Sequence, residues 1–292
     1  MRLGFIGAGR MGRPIVDRLR AAGHDVTVLV RRPQSRATAE TEADADGLTW
    51  APTIAETVRD ADAVFVAVLT DEQVRSVCLG PDGALAAMRP GATLIQHTTS
   101  DPATAHLLVE AAAERGTGIR VLDAALSGGP NDIAEGRLTL WVGGDETVLE
   151  DVRPLLATYA SPVLWVGPAG NGQRVKLVNN ALFVAQVGLA VDAVRLAGSL
   201  GIDERAILGA LQHGSGASRA LAVVAGGGSV DAVAARLSAL MLKDVTVVRE
   251  VARNAGADLG IIGTVLSSDA VEDKVLRVAD AADNDNTRRA AS

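Results

Sequence analysis

The first half of the chain is punctuated by short apolar runs. They are RLGFIG (2–7), DVTVLV (25–30), DAVFVAVL (62–69), ATLIQHT (92–98), IRVLDA (119–124), LTLWVG (138–143) and PVLWVG (162–167). Runs of this length, rich in Val, Leu and Ile and nearly continuous, predict strands of a sheet covered on both faces. Between several of them the period changes to that of a helix, as in MGRPIVDRLRAAG (11–23) and DPATAHLLVEAAAERG (101–116). In the second segment Asp101 stands at a capping position, Pro102 opens the helix and Gly116 follows it as a stop. Strands alternating with helices predict a mostly parallel α/β sheet.

Strand signals cease after about residue 166. From Asn171 to about Leu200 runs a single proline-free helical pattern, and further helical stretches continue to about Val278. The change of period falls at GPAG (167–170). It predicts an α/β domain of the Rossmann type over 1–166 and an all-helical domain over 167–292, joined by a long helix. The tail AADNDNTRRAAS is polar and small and is expected to fray.

Composition narrows this picture. The 292 residues suffice for two domains with their own cores, and 48% hydrophobic with 22% charged residues is ordinary for a soluble globular protein. Aromatics make up 2%, so the cores must be built from Ala, Val, Leu and Ile. A net charge of −7 without a Lys/Arg run argues against a nucleic-acid partner. No apolar run reaches about 18 residues, so no membrane span is expected. The chain opens directly on a strand without a leader, which predicts a cytoplasmic protein. Cys78 is the single cysteine and is read as a small buried residue. His97 and His213 lack ligand spacing, so both are read as structural and no metal site is expected.

Candidate chemistry begins at GAGRMG, where Gly7, Gly9 and Gly12 stand at G-x-G-x-x-G spacing between a predicted strand and a predicted helix. In a dinucleotide-binding loop, Gly7 would allow the tight turn and Gly9 the close approach of backbone to pyrophosphate. Gly12 would let the helix pack closely on the strand, and the helix N-terminus would face the phosphates. A plain strand-to-helix turn shows the same spacing, so the context carries the reading. Ala8, Arg10 and Met11 belong to the same loop, and Leu69, at the end of DAVFVAVL, is assigned with them to the cofactor. At the end of the second strand, where a carboxylate would meet a free ribose hydroxyl, the chain has Arg31 and Arg32, with Arg36 behind. Guanidinium forks suit a 2′-phosphate, so NADP(H) is favoured over NAD(H). A solvated arginine pair is the competing reading.

Three later segments carry a family resemblance. DAALSGGPNDIAEGRLTLWVGGD (123–145) resembles the substrate-binding segment of the β-hydroxyacid dehydrogenases, which include 3-hydroxyisobutyrate dehydrogenase and tartronate semialdehyde reductase. GPAGNGQRVKLVNN (167–180) is similar to that family's catalytic segment, a glycine turn followed by Lys-x-x-Asn-Asn. LMLKD (240–244) resembles its late Lys-Asp element. With GFIGAGRMGRP and QHTTSDPAT (96–104), the likeness extends over about residues 4 to 265. It implies a Rossmann-type domain, a connecting helix, a helical domain and a homo-oligomer, dimeric or tetrameric, with the active site between domains. It also implies Thr99 beside the nicotinamide ribose and Lys243 near cofactor or substrate. The chain departs from the pattern at Ala125, where Pro is usual, and in ending on a polar tail where a glycine-rich stretch with an Asp is common.

The chemistry follows from these residues. Lys176 is the candidate general acid/base, since partial burial early on a long helix would lower its pKa toward the working range. Asn179 and Asn180 follow at i+3 and i+4 and share its helix face. Asn180 would position Lys176 or the substrate hydroxyl, and Asn179 would touch substrate. Ser127, Gly128 and Gly129 form a strand-end loop whose N–H groups could hold a substrate carboxylate. The expected activity is hydride transfer between NADP(H) and a small 3-hydroxy acid or its semialdehyde. Two other readings stay open. Imine reductases share the architecture but typically lack the lysine, and a dinucleotide-binding sensor would not need one.

Overall fold

The computed structural model describes residues 1–30 and 47–276. Its strands are β1 (Arg2–Ile6), β2 (Asp25–Leu29), β3 (Leu48–Ala51), β4 (Ala63–Val66), β5 (Thr93–Gln96), β6 (Arg120–Ser127), β7 (Leu138–Gly143) and β8 (Ala160–Trp165). The helices between them are α1 (Gly12–Ala21), α2 (Ile54–Val58), α3 (Asp71–Cys78), α4 (Ala84–Ala87), α5 (Pro102–Glu114), α6 (Pro130–Ala134) and α7 (Glu146–Leu156). After β8 come α8 (Asn171–Ser199), α9 (Glu204–Leu211), α10 (Arg219–Gly226), α11 (Val230–Ala255), α12 (Gly260–Leu266) and α13 (Asp269–Val271). Among the described residues no strand follows Trp165. The chain divides into two compact units, Met1–Lys176 and Leu177–Ser292.

In the first unit the eight strands form one sheet in the order β3-β2-β1-β4-β5-β6-β7-β8. Every neighbouring pair is parallel except β6 with β7. Both faces are buried, as the continuous apolar runs require. Leu3 and Phe5 of β1 enter one core cluster with Ile15, Leu122 and Leu140, while Ile6 enters the other with Val64, Leu94 and Leu108. The order of strands reverses between β1 and β4, and the loop after β1 lies at that switch, where open α/β sheets bind ligands.

Local signals act as the sequence dictates. Asp101 caps α5 through its side chain, which accepts from Ala103 N at 2.8 Å, and Pro102 follows at the first position. Cys78 is fully buried, and its burial pushes the thiol up to about 12. His97 is also buried, with Nδ1 2.6 Å from the Ala124 carbonyl and Nε2 2.9 Å from the Tyr159 hydroxyl. Strand β3 was not anticipated, because LTWA is four residues long and lacks a continuous apolar run.

The second unit, taken by itself, is helical among its described residues. Leu177, Val184, Val187 and Val191 of α8 pack with Leu221, Val224, Met241, Val245 and Val271 in one core. Helix α8 is long and apolar enough to cross a membrane, with a mean hydropathy of 1.6 over 18 residues, half of them buried inside the protein. A search for continuous apolar runs does not register this window, because a few polar residues interrupt it. Its buried side builds the core of this unit.

Candidate functional site

The three loop glycines meet three different requirements. Gly7 has φ +103°, and a Cβ there would stand 2.6 Å from the Ala67 carbonyl carbon. A Cβ on Gly12 would press on the Gly7 carbonyl and stand 2.8 Å from the Phe5 ring. A Cβ on Gly9 would meet no atom within 4 Å, so the fold itself does not require glycine there. The chain thus keeps space open at the residue where a pyrophosphate would approach the backbone of the α1 N-terminus, and the loop fits a dinucleotide. Arg10 is exposed and Ala8 and Met11 are half-buried on the same turn. Arg31, Arg32 and Arg36 lie outside the described residues, as do the polar tail and its neighbours.

Two further strand ends belong to this rim. The Thr98 hydroxyl accepts from Val68 N at 2.9 Å and donates to Val68 O at 3.1 Å, tying the segment after β5 to that after β4. This places Thr99, half-buried, on a loop fastened beside exposed Leu69, whose N–H donates to Gln73 Oε1 at 2.9 Å. At the end of β6, Ser127 is half-buried and Gly128 takes φ +131°. The N–H of Gly129 donates to Asp132 Oδ2 at 2.7 Å, so α6's own acid occupies one of the donors of this loop.

The start of α8 is held from beneath. Residues 120–123 of β6 pair with β5, and residues 123–127 pair with β7, so Asp123 is paired on both sides, with Gln96 and with Gly143. Its carboxylate, 1% exposed, accepts from Gly170 N at 2.7 Å and from Gln173 N at 3.0 Å. Burial raises its pKa to about 6, against the lowering effect of those N–H donors. Gln173 is wholly buried; Oε1 accepts from Ser100 N at 3.0 Å and Nε2 donates to Gln96 Oε1 at 3.0 Å. Gln96 in turn donates to Thr98 O at 2.8 Å and to the Ser100 hydroxyl at 3.0 Å. Lys176, half-buried, follows Gln173 one turn later on α8. Sequence reading missed Asp123 and Gln173, since their partners lie as far as 77 residues away.

In the second unit, buried Asn180 donates through Nδ2 to Asp244 Oδ2 at 2.7 Å and accepts from Asn179 Nδ2 at 3.1 Å. Lys243 Nζ lies 4.0 Å from Asp244 Oδ1. The unit thereby gathers Asn179, Asn180 and Lys243 around one buried carboxylate. Asp244, the last residue of LMLKD, takes its role only from this packing, which no local pattern in the sequence signals.

The chain is similar to known proteins along most of its length. Residues 2–167 match the family described as the NAD-binding domain of 6-phosphogluconate dehydrogenase. Residues 170–285 match that described as NAD-binding of NADP-dependent 3-hydroxyisobutyrate dehydrogenase. The NAD-dependent L-serine dehydrogenase of Pseudomonas aeruginosa is 33% identical over 225 residues, covering 76% of this chain and 72% of that one. The 2-hydroxy-3-oxopropionate reductase of Escherichia coli is 31% identical over 223 residues, covering 76% and 74%. Among solved structures, the 3-hydroxyisobutyrate dehydrogenase of Mycobacterium tuberculosis with L-serine superposes with a TM-score of 0.79 at 26% identity, covering 95% of this chain and 97% of that one. Two family matches over nearly the whole chain and a loop shaped for a dinucleotide lead to one conclusion: the chain belongs to the β-hydroxyacid dehydrogenase family of NAD(P)-dependent oxidoreductases.

Proposed function

We propose that the protein moves a hydride between NADP(H) and a small 3-hydroxy acid or its semialdehyde, with Lys176 as general acid/base. The observation that carries this is the placement of Lys176, half-buried one turn beyond the network anchored on Asp123 and Gln173. In the oxidative direction Lys176 Nζ takes the hydroxyl proton as the carbon–hydrogen bond breaks, and in the reductive direction it returns that proton to the carbonyl oxygen. Asn180, fixed by Asp244, orients Lys176 or the substrate hydroxyl. The Ser127–Gly129 loop would hold the substrate carboxylate, and Asn179 would touch substrate. Gly7, Ala8, Gly9, Arg10, Met11 and Gly12 would hold the pyrophosphate, Thr99 and Leu69 the nicotinamide half, Lys243 the cofactor or substrate, and Arg31, Arg32 and Arg36 the 2′-phosphate. Bound there, the dinucleotide accepts or supplies the hydride.

The substrate class draws support from the relatives. Their names cite L-serine, 2-hydroxy-3-oxopropionate and 3-hydroxyisobutyrate, which are 3-hydroxy or 3-oxo acids. The reading includes a homo-oligomer, supported by Val178, Leu182, Leu189 and Leu196, which are exposed along one side of α8. The test is a spectrophotometric panel of short 3-hydroxy acids and 2-hydroxy-3-oxo acids with NADP(H) and NAD(H), on wild type and Lys176→Ala. Lys176→Ala should lose turnover on the order of 10²–10⁴-fold with cofactor affinity nearly unchanged. Wild-type turnover in the variant removes the lysine from the mechanism. Tight NADP(H) binding without turnover of any panel member favours a sensor, and reduction of cyclic imines favours an imine reductase.

A further inference from the structure

A helix end is ordinarily capped by a local, solvated side chain. The first turn of α8 is instead fastened by two side chains with almost no exposure to solvent, Asp123 from mid-strand β6 and Gln173 from the helix itself. The backbone is cleared for them. A Cβ on Gly143 would stand 2.5 Å from Asp123 Oδ1, and one on Gly172 would stand 2.7 Å from Oδ2. Both ends of the Gln173 amide are engaged, one on the Ser100 backbone and one on Gln96, so the turn is bound to the segment that carries Thr99. A buried network with its members satisfied is costly to desolvate and fixes one geometry.

We infer that Asp123 and Gln173 are positioning residues that set the location of Lys176 relative to the Thr98–Ser100 loop. The inference rests on the reading of Lys176 as the proton-transfer group. Gln173 and Lys176 are three residues apart and share a helix face, so a displacement of the one turns the other. A misplacement of about 1 Å at a reacting group is enough to cost on the order of 10²-fold in rate.

The experiment uses the full chain and the variants Gln173→Met, Gln173→Asn and Asp123→Asn, with Lys176→Ala alongside. Gln173→Asn, one methylene shorter, is the mild variant that keeps the test decisive if another fails to fold. The chain has three lysines, Lys176, Lys243 and Lys274, so competitive acetylation across a pH series, read by peptide mass spectrometry, follows Lys176 with two internal references. Turnover of 3-hydroxyisobutyrate and L-serine with NADP+ is measured in parallel with NADP+ affinity. The expected result is a displaced labelling midpoint for Lys176 alone and a kcat lower by about 10–100-fold, with NADP+ affinity within about twofold. Folded variants with the wild-type midpoint at Lys176 overturn the inference. A displaced midpoint together with wild-type turnover in Lys176→Ala leaves the positioning intact and removes the acid/base reading.

Discussion

Asn180 and Asp244, 64 residues apart in sequence, meet at 2.7 Å in the interior of the helical unit. The Asn180 amide is buried and donates to this carboxylate, so removing the acceptor leaves a polar group without the bond that offsets its desolvation. Asp244→Ala is predicted to destabilise the second unit by about 1–3 kcal/mol. A double-mutant cycle with Asn180→Ala should show that the two changes are not additive. Denaturation followed by far-ultraviolet circular dichroism checks both, and strict additivity would refute the coupling.

A second prediction concerns pH. Burial holds His97 down to about 4, so the folded state keeps it neutral where the unfolded chain, titrating near 6.5, takes up a proton. Between those values the unfolded state binds more protons, and the contribution of His97 to stability rises with pH. It is present in full above 6.5 and is lost as the pH falls toward 4. Asp123 acts in the opposite sense: raised to about 6, it holds a proton in the folded state that the unfolded chain has released, so its contribution falls as pH rises from about 3.8 to 6. The two slopes oppose each other in the wild type. The stability advantage of wild type over His97→Gln should therefore shrink by about 2–3 kcal/mol from neutral pH to about pH 4.5. All three tryptophans, Trp50, Trp141 and Trp165, lie in the first unit, so their fluorescence during denaturation reads this directly. An advantage that does not change with pH sinks the argument.

Gly9 and Gly12 should separate binding from folding. Gly12→Ala forces a methyl against the Gly7 carbonyl and the Phe5 ring, an overpacking that typically costs about 1–3 kcal/mol. Gly9→Ala meets open space and should leave the melting temperature unchanged while weakening NADP(H) binding. Equal affinity for NADP(H) in Gly9→Ala would mean that the loop does not hold the dinucleotide.

Cofactor choice is tested on residues outside the described part of the chain. If Arg31 and Arg32 meet a 2′-phosphate, the double change to Ala should lower kcat/KM for NADP+ and leave that for NAD+ nearly the same. Each lost charge-assisted hydrogen bond is worth roughly 1.5–3 kcal/mol, so the ratio should change at least tenfold. A preference for NAD+ in the wild type, or an unchanged ratio in the variant, rejects the assignment.

The features legible in the sequence were those coded locally. The loop glycines, the Asp101 cap with Pro102, and the long helix beginning at Asn171 each depend on residues within a few positions of one another. The reversed direction of β7 was not legible, because LTLWVG reads alike in either direction. Strand β3 was hidden because an edge strand of four residues leaves almost no period. Asp123 looked like any polar residue ending a strand; only the sheet brings it beneath Gly170 and Gln173. Asp244 gained its meaning only from the packing of α11 on α8.

The division between the two units falls between Lys176 and Leu177, within a single helix of 29 residues and not in a connecting loop. The nearest break between elements lies at residues 166–170, between β8 and α8. A fragment ending at Lys176 would keep the opening of the helix on its Asp123 and Gln173 anchors and lose all of the helix beyond it. A fragment beginning at Leu177 would lack the glycine turn and the buried carboxylate that start the helix. Halves exchanged between relatives should therefore be joined before Asn171 or after Ser199, and a chimera spliced inside this helix has to preserve its register.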